Sequence, residues 1–379
     1  MIKFDFKTYM KDIKEDIDIN KLINKLKEDK LNDWFTTEEE TYNIKNLAFN
    51  IRENFDVFLV IGIGGSILGS RGIIEALNPY LKNEKIKIIY VGDNLSSEYI
   101  NEVINYIKDK KVFTNVISKS GNTLEVNIAF ELLYPYLNKK NIIITTSEEG
   151  NLYEFAKKEG IKTLEFPKNV GGRFSVLKIP GLLPVAVAGI DITNLVKGSN
   201  KAKENLGPIK EYIKIRNHFF NEKYSVEFIN IYEPKLKGII ECIEQLFSET
   251  QGKENKGLLP VLVTNTGKLH SLGQFIQEGN NIGFETTILI EKTKDIYVDK
   301  YNKSLNEINL IAAESVAKSH YLENRYTNII TMDELNEYNI GYLIMFFMLT
   351  TSIGSYLLNV NYYDQPGVSK YKEILSQNL

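Results

Sequence analysis

The chain has 379 residues, 43% hydrophobic and 25% charged, with a net charge of −3. That length supports a large core divided over two domains, and that balance is not the composition of a disordered chain. The small negative charge argues against a basic nucleic-acid-binding face. The single cysteine, Cys242, excludes an internal disulfide or a thiolate metal cluster.

The segment to about Asn50 is rich in Lys, Asp, Glu and Asn, with Leu22, Ile23, Leu26, Leu31, Trp34 and Phe35 at helical spacing. It reads as two helices, and the charge run Lys25 to Asp33 as a solvated face. The start, Met1 to Lys7, has no signal-peptide pattern. No apolar run approaches the ~18 residues of a membrane helix. The longest, Ile340 to Ile353, is interrupted by Gly341, Thr350, Thr351 and Ser352. The expectation is a cytoplasmic protein with no membrane partner.

From Val57 onward strands and helices alternate. Strands are predicted at 57–61, 86–91, 112–117, 141–145 and 162–166. Helices fall at about 69–77, 96–107, 124–133 and 151–159, followed by a buried, small-residue helix at 181–189. This order implies a parallel sheet with helices on both faces. The second half repeats the theme, with strands at 225–231, 259–264, 284–290 and 328–331. Its helices are predicted at 193–205, 209–222, 236–250, 270–277, 305–320 and 341–358. The expected organisation is an N-terminal helical segment, 1–50, packing on the second of two α/β domains, 51–195 and 196–379.

Ser118-Lys119-Ser120-Gly121-Asn122-Thr123 joins an apolar strand to a helix. Unpaired N–H groups at a helix start favour an anion, most simply a phosphate. Ser118, Ser120 and Thr123 add hydroxyl donors, Lys119 adds charge, and Gly121 lets the backbone approach closely. The plainer alternative is an ordinary helix cap. Gly62-Ile63-Gly64-Gly65-Ser66 occupies the corresponding turn two strands earlier in the chain. Ile67 replaces the third glycine of a dinucleotide fingerprint, so that fingerprint fails. Both turns lie at the strand ends where open sheets bind ligands.

Gly171-Gly172-Arg173-Phe174-Ser175 puts a guanidinium on a tight loop, suited to an oxyanion. Gln245 and Glu249 share one helix face, as do Gln274 and Glu278. Either glutamate could serve as a general base or be an ordinary solvated carboxylate, and nothing internal separates them. His270 follows a strand end and could act as an acid or base, whereas His218 and His320 read as structural. No His-x-His or Cys/His spacing exists, which argues against a metal. Asp364-Gln365-Pro366-Gly367-Val368, with Lys370 and Lys372 beyond it, reads as a turn delivering Gln365 and a lysine.

Taken together, these pieces resemble the glucose-6-phosphate isomerase family in its shorter bacterial form. The Gly-Gly-Arg, Ser-Glu-x-x-Gly-Lys and Asp-Gln-Pro-Gly-Val pieces carry the resemblance most specifically. It implies two sugar-isomerase domains, each flavodoxin-like with a parallel sheet flanked by helices, in a homodimer with a shared active site. It implies a sugar phosphate as substrate and no cofactor. Ser118, Lys119, Ser120 and Thr123 would surround the phosphate, and Gly65, Ser66, Gln245 and Gln365 would hold the sugar. The base would be Glu249 rather than Glu278. His270, from the neighbouring subunit, and Lys372 would open the ring, while Arg173 would stabilise the enediolate. Ser369 stands where the family usually has Glu, and the chain is shorter than most relatives, so a C-terminal buttressing helix is expected to be reduced. The competing readings are a dual enzyme that also accepts mannose 6-phosphate and a non-catalytic sugar-phosphate sensor.

Overall fold

The computed structural model describes residues 1–15, 17–28, 34–81 and 84–379. Leu31 and residues 29–33 of the charge run lie outside the described residues, as do the side chains of Lys27, Ser369 and Ser376. The chain forms two compact units: Lys30–Lys197, and Met1–Asp29 together with Gly198–Leu379. Strand β1 (Ile2–Asp5) and helix α1 (Ile19–Glu28) belong to the second of these.

In the unit of residues 30–197, α2 (Glu40–Asn54) leads into an alternating series. It runs β2 (Val57–Ile61), α3 (Leu68–Leu77), β3 (Lys87–Val91), α4 (Ser97–Ile107), β4 (Val112–Ile117), α5 (Leu124–Leu133), β5 (Ile142–Thr146), α6 (Asn151–Glu159), β6 (Lys162–Glu165) and α7 (Ile179–Val187). The strands form one parallel sheet in the order β3-β2-β4-β5-β6. Every residue of β2 and β4 is buried, as a sheet covered on both faces requires. Val57, Leu59 and Ile61 pack with Ile100 of α4, Phe130 of α5 and Ala156 of α6. Phe58 and Val60, alternating with them, face the other side, where α7 packs against β2, α2 and α3. Strand order reverses between β2 and β4. That is the switch point at which open α/β sheets take ligands, beyond the carboxyl ends of the strands.

Helix α8 (Ile192–Glu204) contains the boundary between the units. Beyond it come α9 (Leu206–Asn221), β7 (Val226–Ile231), α10 (Lys237–Gln251), β8 (Leu259–Thr264), α11 (Leu272–Glu278) and β9 (Gly283–Lys292). A hairpin of β10 (Tyr297–Val298) and β11 (Lys303–Ser304) follows, then α12 (Leu305–Leu322), β12 (Thr327–Glu334), α13 (Glu337–Leu357) and α14 (Ser369–Asn378). The main sheet has the order β1-β12-β9-β7-β8, parallel except for β1, which pairs antiparallel with β12 at the edge.

Most elements match the sequence expectations to within a residue or two. The expectation for the apolar run near the C-terminus is corrected. Helix α13 has 21 residues and is long and apolar enough to cross a membrane by length and composition, with 83% of its most apolar stretch buried inside the protein. Thr350 and Thr351 do not interrupt it, because their hydroxyls donate to the carbonyls of Phe346 and Phe347 one turn back. Four elements, β1, the hairpin strands β10 and β11, and α14, lie outside the sequence expectations. β1 is a four-residue strand whose partner, β12, lies more than 300 positions away. The short hairpin carries no turn dipeptide of the favoured kind. α14 is exposed along most of its length, so no apolar stripe announces it.

Candidate active site

Three loops meet at the switch point of the 30–197 unit. β2 ends in Gly62–Ser66, and the Gly62 amide donates to the Val91 carbonyl at 2.9 Å, tying the turn to β3. β4 ends in Ser118–Thr123, and the Ser118 amide donates to the Thr145 carbonyl at 3.1 Å, tying that turn to β5. The third loop brings Arg173. A Cβ on Gly65 would lie 2.3 Å from the Gly172 carbonyl carbon and 2.4 Å from the Arg173 nitrogen. The two backbones touch only because residue 65 lacks a side chain. The Ser175 hydroxyl donates to the Gly172 carbonyl at 2.7 Å, closing the Gly-Gly-Arg turn. Arg173 is buried at 3% exposure, and its guanidinium carbon lies 5.3 Å from the Phe174 ring centroid.

The Ser118–Thr123 loop differs from a plain helix cap. Thr123 stands at the N-cap of α5, yet its side chain accepts no hydrogen bond from the helix. The Thr123 and Ser118 hydroxyls pair with each other instead, at 2.9 Å. The first-turn N–H groups of α5 therefore have no side-chain cap from Thr123, an arrangement suited to an anion. Lys119 is half-buried. Burial pulls its ammonium below the ordinary lysine value, and the nearby Glu149 carboxylate raises it part of the way back.

Sequence reasoning missed the residues that brace this loop. The Asn127 amide donates to the Gly121 and Thr123 carbonyls at 3.3 and 2.8 Å. The Asn151 backbone N–H donates to the Asn122 side chain at 2.9 Å. Gly150, at φ 85°, lies against the loop so closely that a Cβ there would be 2.1 Å from the Ser120 carbonyl oxygen. A glycine before a helix is too common for its sequence alone to mark such a contact.

In the other unit, Glu249 lies in the last turn of α10, half-buried between two amides. Gln245 Nε2 donates to Glu249 Oε1 at 2.8 Å, and Gln365 Nε2 donates to Glu249 Oε2 at 3.3 Å. Each carboxylate oxygen thus has an amide donor, which leaves Glu249 oriented. The end of α10 is itself fixed. Gln251 donates to the Thr351 carbonyl of α13 at 2.9 Å and accepts from the buried Arg216 at 3.3 Å. Lys253 Nζ donates to the Asn361 carbonyl and pairs with Asp364 at 2.8 Å, joining the Ser-Glu-x-x-Gly-Lys and Asp-Gln-Pro-Gly-Val pieces.

Glu278 has a different setting. It is exposed on α11, beside Gln274 at 2.5 Å.

His270 does not join Glu249 within one chain. It ends a short 3-10 turn, Gly267–His270, rather than starting a helix as expected; α11 begins at Leu272. That turn follows β8 at the carboxyl edge of the sheet, and His270 is exposed there. Helix α10 runs the opposite way alongside β8, with Glu244 accepting from the Leu262 N–H at 2.7 Å. Its last turn, with Glu249, therefore lies near the amino edge. The six residues of β8 separate the two positions, a span of about 20 Å. Lys372 is exposed on α14, in the first turns of that helix. Among the described residues, no group of three or more His, Cys, Asp or Glu side chains gathers where it could hold a metal ion.

The family model described as phosphoglucose isomerase matches residues 30–269. The glucose-6-phosphate isomerase of Shouchella clausii is 38% identical over 371 residues, covering 89% of this chain and 82% of that protein. A hypothetical protein from Thermus thermophilus superposes with a TM-score of 0.87 at 24% identity, over 100% of this chain and 99% of that one. A glucose-6-phosphate isomerase from Chlamydia trachomatis superposes with a TM-score of 0.77 at 20% identity, over 97% and 76%. These two structures share the fold expected from the sequence, α/β domains with parallel sheets flanked by helices.

Proposed function

The chain belongs to the phosphoglucose isomerase family, and from that premise we propose that it interconverts glucose 6-phosphate and fructose 6-phosphate by proton transfer through an enediol. The observation that carries the reading is Glu249, held by the Gln245 and Gln365 amides at 2.8 and 3.3 Å. A proton beside a carbonyl is weakly acidic, so its removal needs an oriented base and a charge to meet the developing oxyanion.

In this reading the phosphate is held by the Ser118, Ser120 and Thr123 hydroxyls, the Lys119 ammonium and the first N–H groups of α5. Gly65, Ser66, Gln245 and Gln365 hold the sugar. Holding the remote phosphate fixes the reacting carbons, so its binding energy serves the chemical step. His270 and Lys372 move the proton that opens the ring. Glu249 takes the proton from one carbon and returns it to the next, while Arg173 stabilises the enediolate. The same carboxylate gives back what it takes, so the reaction is redox-neutral overall and needs no cofactor.

The protein works as a homodimer in which a second copy supplies His270. What supports this is the strand-length separation of His270 and Glu249 across the sheet of one chain. Burial of 83% of the most apolar stretch of α13 makes that helix a core element rather than a membrane span.

The test is a coupled assay of purified protein with glucose 6-phosphate in excess chelator, run in parallel with mannose 6-phosphate. Turnover of glucose 6-phosphate is expected. Sugar-phosphate binding without turnover would make the protein a sensor, and comparable rates on both substrates would make it a dual isomerase.

A further inference from the structure

Within the stretch from Asn361 to Val368, the Gln365 side chain reaches Glu249 at 3.3 Å. Helix α14, with Lys372, starts at once behind it and is exposed along most of its length. Gln365 and Lys372 therefore depend on whatever fixes this stretch.

At the start of this stretch Tyr362 packs on Tyr356, with ring centroids 5.8 Å apart, and Lys253 is the charged side chain placed to fix its turn. Its side chain is only 6% exposed, and its ammonium meets both the Asn361 carbonyl and Asp364 Oδ1. Asp364 is the neighbour of Gln365, so the ion pair acts one residue from the amide that touches Glu249. Lys253 is in turn set by a compact turn at the end of α10. The Gly252 amide donates to the Ser248 carbonyl at 3.0 Å, and the Lys253 amide donates to the Gln251 carbonyl at 2.9 Å. Gly257 closes that turn at φ 93°, where a Cβ would lie 2.8 Å from the Gln251 carbonyl oxygen. Glu249 and Lys253 thus leave one helix end, one toward the reacting carbons and one toward the segment bearing Gln365.

We propose that Lys253 and Asp364 are positioning residues. Their ion pair holds the 361–368 stretch so that the Gln365 amide orients the Glu249 carboxylate and α14 presents Lys372. Neither residue touches substrate, and the inference rests on the roles of Glu249, Gln365 and Lys372 given above. An ammonium suits the task because it can donate to a carbonyl and a carboxylate together while its stem stays buried.

The test compares Lys253→Met, Lys253→Arg, Gln365→Ala and the double variant Lys253→Met/Gln365→Ala by steady-state kinetics. Hydrogen exchange of the peptide spanning 361–368 is followed in the same proteins. For Lys253→Met, kcat is expected to fall by about tenfold or more with KM within about twofold, as loss of orientation without loss of binding requires. Lys253→Arg should recover part of that loss. The double variant should be slower than Gln365→Ala by less than the full factor that Lys253→Met costs alone, because the two changes share the loss of the Gln365 contact and only the Lys372 share is added. Exchange at 361–368 should quicken by roughly tenfold while α13 stays protected. Unchanged exchange at 361–368, or kinetic losses that multiply in the double variant, would overturn the proposal. If Lys253→Met does not fold, Asp364→Asn carries the same two readouts. If the wild type does not turn over glucose 6-phosphate, the functional reading fails, and the exchange comparison still decides the positioning role.

Discussion

Gly65 and Arg173 are neighbours through their backbones, with room for a Cβ on Gly65 only 2.4 Å from the Arg173 nitrogen. Two pieces of sequence more than a hundred residues apart are thereby held as one surface. Contacts under 3.0 Å to backbone leave no flexible end to move aside, so a methyl group must separate the loops. If Arg173 stabilises the enediolate as proposed, Gly65→Ala is expected to reduce kcat/KM by on the order of 100-fold, the cost of a misplacement of about an ångström. Steady-state kinetics with glucose 6-phosphate reads the effect. Activity within twofold of wild type would mean that the Gly-Gly-Arg loop can shift without consequence.

Gly150 makes the same argument for the Ser118–Thr123 loop, with an added backbone term. Its φ of 85° disfavours any side chain, and a Cβ would stand 2.1 Å from the Ser120 oxygen. Gly150→Ala should lower stability by about 1–3 kcal/mol and weaken a competitive sugar-phosphate inhibitor. Denaturant unfolding together with the inhibition constant separates the two effects. Loss of stability with unchanged inhibition would confine Gly150 to the fold.

Lys119 gives a dependence on pH whose sign follows from its surroundings. Burial holds the ammonium below its ordinary value of 10.5, and the Glu149 carboxylate opposes that shift. Removing the carboxylate lets burial act alone, so the lysine loses its proton at lower pH. In Glu149→Gln, the alkaline limb of inhibitor affinity should therefore move to lower pH than in wild type. A limb that stays in place or moves upward would exclude Lys119 as the group whose charge holds the phosphate.

Much of this arrangement was legible in the sequence, for identifiable reasons. The strands Val57–Ile61 and Val112–Ile117 are unbroken apolar runs because the sheet is covered on both faces, and their glycine- and hydroxyl-rich ends mark the switch point. The setting of Glu249 was not legible. The rule that ligands sit at the carboxyl ends of strands points to His270, whereas Glu249 lies at the far end of the returning helix. Gln245 alone did not distinguish Glu249 from Glu278, since Gln274 stands at the same spacing from Glu278. The second amide, from Gln365, comes from 116 residues away, and no local pattern encodes it. The bracing of Ser120 by Gly150 escaped notice for the same reason, being a contact between loops that are separate in sequence.

His270 and Glu249 lie a strand apart in one chain, and that separation predicts complementation. Glu249→Gln and His270→Ala should each be nearly inactive alone. If each site takes its histidine from the other copy, a mixed dimer contains one intact site. Unfolding and refolding an equal mixture should then restore about a quarter of wild-type activity, because half of randomly paired dimers are mixed and each has one working site. No recovery, with mixed dimers demonstrated by mass, would contradict the sharing of sites.

The most direct measurement compares Glu249→Gln with Glu278→Gln for turnover and for binding of fructose 6-phosphate. Glu249→Gln should lose roughly 100-fold to 10,000-fold in kcat, the range for removing a general base, while still binding the sugar phosphate. Glu278→Gln, altered at an exposed carboxylate on α11, should stay within about twofold of wild type. Full turnover by Glu249→Gln, or a collapse of turnover in Glu278→Gln alone, would contradict the account.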